Sequence, residues 1–240
     1  MAFTPVFHSE WIKIRTLRSE IAALASIPAV TALFSALASS DTGGDDFDPL
    51  FAVFFGVTFG QIAAIAFGTT AVSSEFQGGA LRLSLAAVPH RGRWFAAKAA
   101  AIAVPVLAVG LVTGLVTLMV GKAVLGTKAD GLDWAEQTRG VVGCAVYLTL
   151  MALFAAGLTA LLRSGAATLG ILIPFLLIVS FVIGDMSNNI ADLLPDRAGQ
   201  VALHETWDGA MGPWTGLAVT ALWTALALAA GAWSVRRRDA

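Results

Sequence analysis

Six stretches of this 240-residue chain, roughly 21–38, 51–73, 99–121, 140–162, 165–184 and 214–234, are long, apolar and free of Asp, Glu, Lys, Arg and His. A helix rising ~1.5 Å per residue needs about 20 residues to cross a ~30 Å hydrocarbon core. Within lipid, a segment must satisfy its own backbone hydrogen bonds. The expected fold class is therefore an all-α membrane protein with six transmembrane helices. Composition agrees, with 57% hydrophobic and 13% charged residues, against about 25% charged in a typical soluble domain. Pro28, Pro105 and Pro174 fall inside spans, where they are expected to bend the helix rather than end it.

Orientation follows from where the charges lie, because loops rich in lysine and arginine stay cytoplasmic. The N-terminus, the 74–98 loop, the 163–164 turn and the C-terminus together hold eleven of the fifteen basic residues. The opposite loops hold Lys122, Lys128, Arg139 and Arg197 and twelve of the sixteen acids, among them Asp41, Asp45, Asp46 and Asp48. Both termini are expected in the cytoplasm. The chain reads as one transmembrane domain, 1–240, with a cytoplasmic loop at 74–98 and an outer loop at 185–213. The outer loop is expected to contain short re-entrant or surface helices, for example around Ile190 to Leu194. The abundance of alanine, with arginine over lysine, suits a GC-rich bacterial genome, and the expected location is the bacterial cytoplasmic (inner) membrane. A net charge of −1 points to no nucleic-acid partner, and the single Cys144 reads as a packing residue.

The start of the chain also has features of a signal peptide: a basic leader, an apolar run and Ala36-Leu37-Ala38 before Ser39. Its apolar run exceeds the usual ~7–15 residues and its leader contains Glu10 and Glu20, so the segment is expected to remain as the first span. Ahead of it, Phe7, Trp11, Ile14, Leu17 and Ile21 recur at steps of three or four, one face of a helix. Residues 1–20 thus read as an amphipathic helix in the cytoplasmic interface, with Arg15 on its polar side, or as the frayed start of the first span.

The missing chemistry narrows function. Without an ionisable group in the six segments, a proton- or sodium-coupled carrier and an intramembrane protease both lose their usual machinery. His204-Glu205-Thr206-Trp207-Asp208 has half of a zinc-peptidase pattern but aspartate at the second histidine position, so no metal is assigned. No G-x-x-x-x-G-K-[ST] loop is present, and the chain is not expected to be an enzyme or to bind a cofactor itself. Small residues recur every four positions at Gly56, Gly60, Ala64 and Gly68, and again at Gly110 and Gly114. That spacing lets helix backbones approach, within one subunit or between subunits. Gln61 is the one amide at depth, suited to bonding across helices or to touching a substrate. Phe54, Phe55, Phe59 and Phe67 make the same span aromatic, for packing or for a substrate path or subunit interface at Phe55, Phe59 and Gln61.

The loop Ser73–Lys98 reads SSEFQGGALRLSLAAVPHRGRWFAAK. Ser74 with Gln77 suggests a capping box, and Pro89 a stop near Val88, giving a helix of about fourteen residues over 75–88. Gly78 and Gly79 would each weaken a helix interior by ~1 kcal/mol, which calls for a close backbone approach or a bend. An ordinary solvated loop whose arginines fix topology is the alternative.

Glu75-Phe76-Gln77-Gly78-Gly79-Ala80-Leu81, with Ser84-Leu85, Pro89, Arg91 and Lys98, resembles the loop after the second span in permease subunits of type-2 ABC exporters. Gln77 stands where a basic residue is common in that family, and Ala80 where threonine is. Ser9-Glu10-Trp11-Ile12-Lys13 and Arg15 to Ser19 resemble the family's amphipathic connecting helix, and six spans with a long last outer loop match its topology. The resemblance implies that Glu75, Phe76, Gln77, Gly78, Gly79, Leu81 and Arg82 belong to a coupling helix docked on a separate cytoplasmic ATPase. Phe7, Trp11, Ile14 and Arg15 would move with it. Two ATPase copies, holding ATP and Mg2+, would work with two permeases, identical or similar, in the lipid bilayer. The implied function is export of an amphipathic or hydrophobic compound such as a drug, antibiotic, peptide or lipid. A non-transporting membrane anchor or sensor that recruits a cytoplasmic protein is the second reading.

Overall fold

The computed structural model describes residues 3–40, 47–88, 90–179, 182, 191–206 and 211–237. Among these residues the chain is helical and contains no strand. The elements are α1 (Phe3–Thr16), α2 (Arg18–Ser40), α3 (Pro49–Phe54), α4 (Val57–Ser73), α5 (Ala80–Ala87), α6 (Arg91–Leu125), α7 (Trp134–Leu162), α8 (Gly165–Pro174), α9 (Pro195–Gln200) and α10 (Pro213–Arg237). Five helical stretches are long and apolar enough to cross a membrane: Arg18–Ser40, Pro49–Phe76, Arg91–Ala129, Trp134–Leu162 and Pro213–Arg237. The fifth of the six expected spans is shorter in its described part. α8 passes at Pro174 into a wider-turned segment, Phe175–Val179, and the rest of 165–184, apart from residue 182, lies outside the described residues.

Helix boundaries follow local chemistry. Asp133 caps α7 through a reciprocal box in which the Asp133 amide donates to Glu136 Oε2 at 2.9 Å. Arg163 then takes a left-handed conformation, φ 57°, and Ser164 accepts from the Ala167 amide at 3.2 Å to start α8. This two-residue turn makes α7 and α8 neighbours. Pro28 and Pro105 sit inside continuous helices. The helix α2 runs unbroken through Ala36-Leu37-Ala38 and packs on α4 and α6.

The bundle is organised around α7, which packs on α4, α6 and α10, while α2 covers α4 and α6. Glycines set these contacts. A Cβ on Gly68 would run into the Ala152 carbonyl of α7, one on Gly110 would lie 2.8 Å from Ala145 Cα, and one on Gly114 3.0 Å from Val141 Cα. Gly56 and Gly60 similarly admit Thr31 and Ser35 of α2. Both small-residue series therefore serve contacts within the chain. Two glycines outside those series do the same: Gly157 faces Ala227 of α10 with 2.6 Å to its carbonyl carbon, and Gly231 faces the Gly157 carbonyl. Phe54 and Phe67 are fully buried in this core, and Cys144 is buried among the same helices. Buried threonines add no orphan polarity where their hydroxyls donate to carbonyls four residues back, as at Thr31, Thr149 and Thr159.

α1 and the C-terminal end of α10 both lie at the end of the bundle where α6 begins. Lys98 of α6 meets Glu10 of α1, and Arg91 Nη1 donates to the Val235 carbonyl at 3.1 Å. At the opposite end, residues 195–203 form α9 and the turn Val201–Leu203, which pack on α10 and α7. Of the short helix expected around Ile190 to Leu194, Ala191 is helical and residues 192–194 turn into α9, while Ile190 lies outside the described residues. Overpacking a close helix contact costs about 1–3 kcal/mol. Gly157→Leu is therefore expected to lower the thermal unfolding midpoint of the purified protein clearly, whereas Gly170→Leu, where a Cβ meets nothing, should leave it near the starting value.

Candidate functional site

Between α4 and α5 the chain makes an elbow. α4 runs into a tight turn, Ser74–Phe76; Gln77 is extended (φ −99°, ψ 143°), and Gly78 and Gly79 are left-handed, φ 59° and 76°. The continuous helix expected over 75–88 is thus replaced by the turn, the elbow and the eight-residue α5. The capping box expected from Ser74 and Gln77 does not form because Ser74 still belongs to the helical path of α4, and its hydroxyl donates back to the Ala71 carbonyl at 3.3 Å. At the other end α5 stops at Ala87, and Pro89 lies outside the described residues. A Cβ on Gly78 or Gly79 would meet nothing within 4 Å. Within this chain the pair serves the bend, since left-handed backbone costs a residue with a Cβ roughly 1–2 kcal/mol.

The elbow divides the residues named from sequence into two groups. Glu75 and Leu81 are buried, and Phe76 is half-buried under the Arg163 guanidinium, 5.7 Å from its ring centre. Gln77, Gly78, Gly79 and Arg82 are exposed. With them stand Leu83, 76% exposed, and Ala86 and Ala87. Positions 79, 82, 83 and 86 share one helix face, so Leu83 was legible in the spacing but not singled out.

Behind that face lies a closed ring of four charges from three parts of the chain. Lys13 Nζ donates to Glu10 Oε1 and to Glu75 Oε1, each at 2.8 Å; Lys98 Nζ donates to Glu10 Oε2 at 2.7 Å and to Glu75 Oε1 at 2.8 Å. Ser84 of α5 donates to Glu75 Oε2 at 3.0 Å and accepts from Lys13 at 3.3 Å. The Glu10, Glu75 and Lys98 side chains are 2–4% exposed and that of Lys13 is 38% exposed. Burial alone would lower the Lys13 pKa, but hydrogen bonds and charge from Glu10 and Glu75 raise it above the ordinary lysine value, so it stays protonated at neutral pH. Glu20 of α2 is also buried, and its Oε2 has no hydrogen-bond partner. Charge neutrality of segments 21–38 and 99–121 thus did not extend to the helices that contain them: Glu20 and Lys98 lie inside α2 and α6.

The same ring changes the orientation of α1. Its inward face is Val6, Glu10 and Ile14 rather than the purely apolar series, because two lysines neutralise Glu10 there. Phe7 and Trp11 are half-buried beside that face and stack at 6.2 Å, while Arg15 is exposed. Leu17 lies at the corner between α1 and α2, so Leu17 and Ile21 point outward, 44% and 49% exposed. The sequence signal for the ring was Glu10 with Lys13 at i,i+3 on the helix, and Lys98 two turns into α6.

A second polar centre lies toward the opposite end. Gln61, buried, accepts a short hydrogen bond from the Tyr147 hydroxyl and donates to the Thr58 carbonyl at 2.9 Å. Gln200 of α9 donates to the Tyr147 oxygen at 3.2 Å and accepts from the Thr58 hydroxyl at 3.0 Å. Gln61 therefore bonds across helices to Tyr147, a partner 86 residues away that no local pattern marks. Thr58 and Gln200 also line an open cleft of about 520 Å³ with Phe51, Phe55, Phe59 and Asp196. Phe55 and Phe59 are half-buried there, and Phe59 stacks on Phe34 at 4.1 Å.

Beside the cleft, Asp48 caps α3 and clasps residues 204–205, accepting from the Phe51 amide at 2.9 Å and the Glu205 amide at 3.1 Å and bonding His204 Nδ1 at 3.1 Å. His204 stacks on Phe51 at 4.1 Å, and Arg139 Nη2 donates to the His204 carbonyl at 2.6 Å. Trp207 and Asp208 lie outside the described residues. Burial would raise the Asp48 pKa, but these hydrogen bonds hold it below its ordinary 3.8. A depressed carboxylate stabilises the fold above its unfolded value, and that contribution is lost as pH falls through the folded one. Asp48→Asn is expected to speed amide exchange in residues 195–206 at pH 7, and the difference from the unmodified protein should shrink once pH drops below ~3.8.

The family model of the ABC-2 family transporter proteins matches residues 15–240, from the end of α1 through the elbow and every long apolar helix. No curated protein matches the chain significantly. A match of that extent, on an all-helical chain with five long apolar helices, makes this protein a member of the ABC-2 transporter family, a membrane-embedded permease of a type-2 ABC transporter.

Proposed function

We propose that this permease is an exporter subunit that moves an amphipathic or hydrophobic compound out of the cytoplasm, driven by ATP hydrolysed on a separate ATPase. The observation that carries this reading is α5: a short helix tied down on one side, with Gly79, Arg82, Leu83, Ala86 and Ala87 offered on the other. An exposed leucine flanked by small residues and an arginine suits insertion into a groove of a cytoplasmic protein. In this reading α5 is the coupling helix, and Glu75, Leu81 and Phe76 hold it in position from behind. Gln77, Gly78, Gly79 and Arg82 face the ATPase. Because the sequence contains no phosphate-binding loop, ATP and Mg2+ belong to that partner. Two ATPases pair with two permeases, identical or similar, in the bacterial cytoplasmic membrane with both termini inside. Six spans complete the topology, the fifth comprising α8 and the apolar residues after it.

The substrate class is supported by the cleft between α3, α4 and the outer segment. Its wall of Phe51, Phe55 and Phe59 gives an apolar, aromatic surface, while Thr58, Gln200 and Asp196 supply a few polar groups, the balance that amphipathic ligands use.

Purification from the native membrane tests the assignment. An exporter subunit should bring down an ATPase whose ATP turnover depends on this chain, whereas an anchor or sensor should bring down a protein without ATP turnover. Leu83→Asp changes an exposed residue and should fold normally. Loss of one interface anchor commonly costs about 2 kcal/mol, so ATPase retention is expected to fall more than tenfold. Retention at the unmodified level would remove α5 as the docking helix.

A further inference from the structure

The elbow poses a mechanical problem. With Gln77 extended and two left-handed glycines between them, α5 and α4 are not one rod, so α5 cannot push on α4 along a continuous helix. Leu81 and Leu85 pack it on the core, and its polar connection to the bundle runs through one hydroxyl. Ser84 bonds Glu75 and Lys13, and those two belong to the ring with Glu10 and Lys98. Each lysine bridges both glutamates, so α1, the turn after α4, and α6 are linked by a closed loop of contacts. Moving any one of them alone would pull a buried charge off its partner. Such a ring gives little net stability over well-packed apolar residues, but breaking it on one side is costly. Its geometric effect is to forbid independent motion. Lys98 stands two turns into α6, a helix of 35 residues and ~52 Å that reaches the other end of the bundle.

We propose that Glu10, Lys13, Glu75 and Lys98 are a buried ion joint that makes α1, the elbow and the head of α6 one moving body, with Lys98 as the central positioning residue. Displacement of α5 then enters the membrane through α6 rather than through α4. This transmission role rests on the reading of α5 as the docking helix, whereas the joint itself is a property of the chain alone.

The test separates charge balance from connection. Lys98→Met leaves two buried carboxylates facing one lysine and should lower the thermal midpoint. Glu10→Gln combined with Lys98→Met removes one charge of each sign, so the midpoint should return toward the starting value while the tie between α1 and α6 is lost. In lipid nanodiscs without an ATPase, amide exchange in residues 3–16 and 80–87 of the double variant is expected to rise together, by about tenfold. Unchanged exchange in both segments overturns the joint, whatever the fate of the docking assignment. With the co-purified ATPase and ATP plus vanadate, the unmodified complex should show a nucleotide-dependent change of exchange in residues 99–121. The double variant should retain the ATPase and lose that change. A full response in the double variant overturns transmission through α6, and absence of any co-purifying ATPase with the unmodified chain counts against the docking reading alone.

Discussion

Close backbone approach along α7 is the constraint on which the rest of the molecule depends. In lipid, helices gain no hydrophobic free energy by leaving the surrounding hydrocarbon, so van der Waals contact and hydrogen bonds must hold them. Gly68 against Ala152, Gly110 against Ala145 and Gly157 against Ala227 bring three helices to the surface of α7. Once those distances are set, Phe54 and Phe67 have defined cavities to fill, and threonine hydroxyls can be satisfied within their own helices. Polar side chains are then free to make only the contacts that orient one part against another.

Those orienting contacts fall into two groups at different depths. Toward the end bearing α1 and α5, the four-charge ring joins α1, the turn after α4 and the head of α6. Toward the other, neutral groups join the deeper part, where Gln61, Tyr147, Gln200 and Thr58 tie α9 to α4 and α7 and Thr220 donates to the Pro195 carbonyl at 2.8 Å, while the partly exposed Asp48 holds His204 and Glu205 nearer the surface. The division follows from desolvation. A neutral amide–hydroxyl contact can be buried deep among spans, whereas an ion pair is tolerated where each charge has two partners and one lysine keeps a path to water.

Much of this was legible in the sequence because apolar length and glycine spacing are local patterns. Segments near 51–73, 99–121, 140–162 and 214–234 coincide with helices, and the glycines of 56–68 and 110–114 sit at helix contacts. What the pattern missed was either an interruption or a distant partner. Gln77-Gly78-Gly79 looked like a weak helix interior, but two consecutive left-handed residues make it a boundary. The apolar stripe Phe7, Trp11, Ile14, Leu17 and Ile21 assumed one unbroken helix, while the chain turns at Leu17 and buries Glu10 instead. Glu10 and Lys98 are 88 residues apart in sequence, and each alone reads as a solvated charge near a membrane surface. Tyr147 meets Gln61, and Gln200 meets Tyr147, for reasons that only the packed bundle supplies.

The arrangement at the elbow combines a compliant backbone with a stiff side-chain network, and the two properties need each other. A continuous helix from α4 through α5 would transmit motion along its axis and leave α1 a bystander. Two glycines remove that path, and the Glu75 carboxylate, set just before them, connects the end of α4 with Lys13 of α1, Ser84 of α5 and Lys98 of α6. Replacing the ring by apolar residues of similar volume could preserve stability, but apolar contacts slide, since dispersion has little directional preference. Hydrogen-bonded charges resist sliding because each displacement leaves a buried group unpaired. The grouping of Glu10, Lys13, Glu75 and Lys98 in one ring is therefore better explained by fixed geometry than by stability.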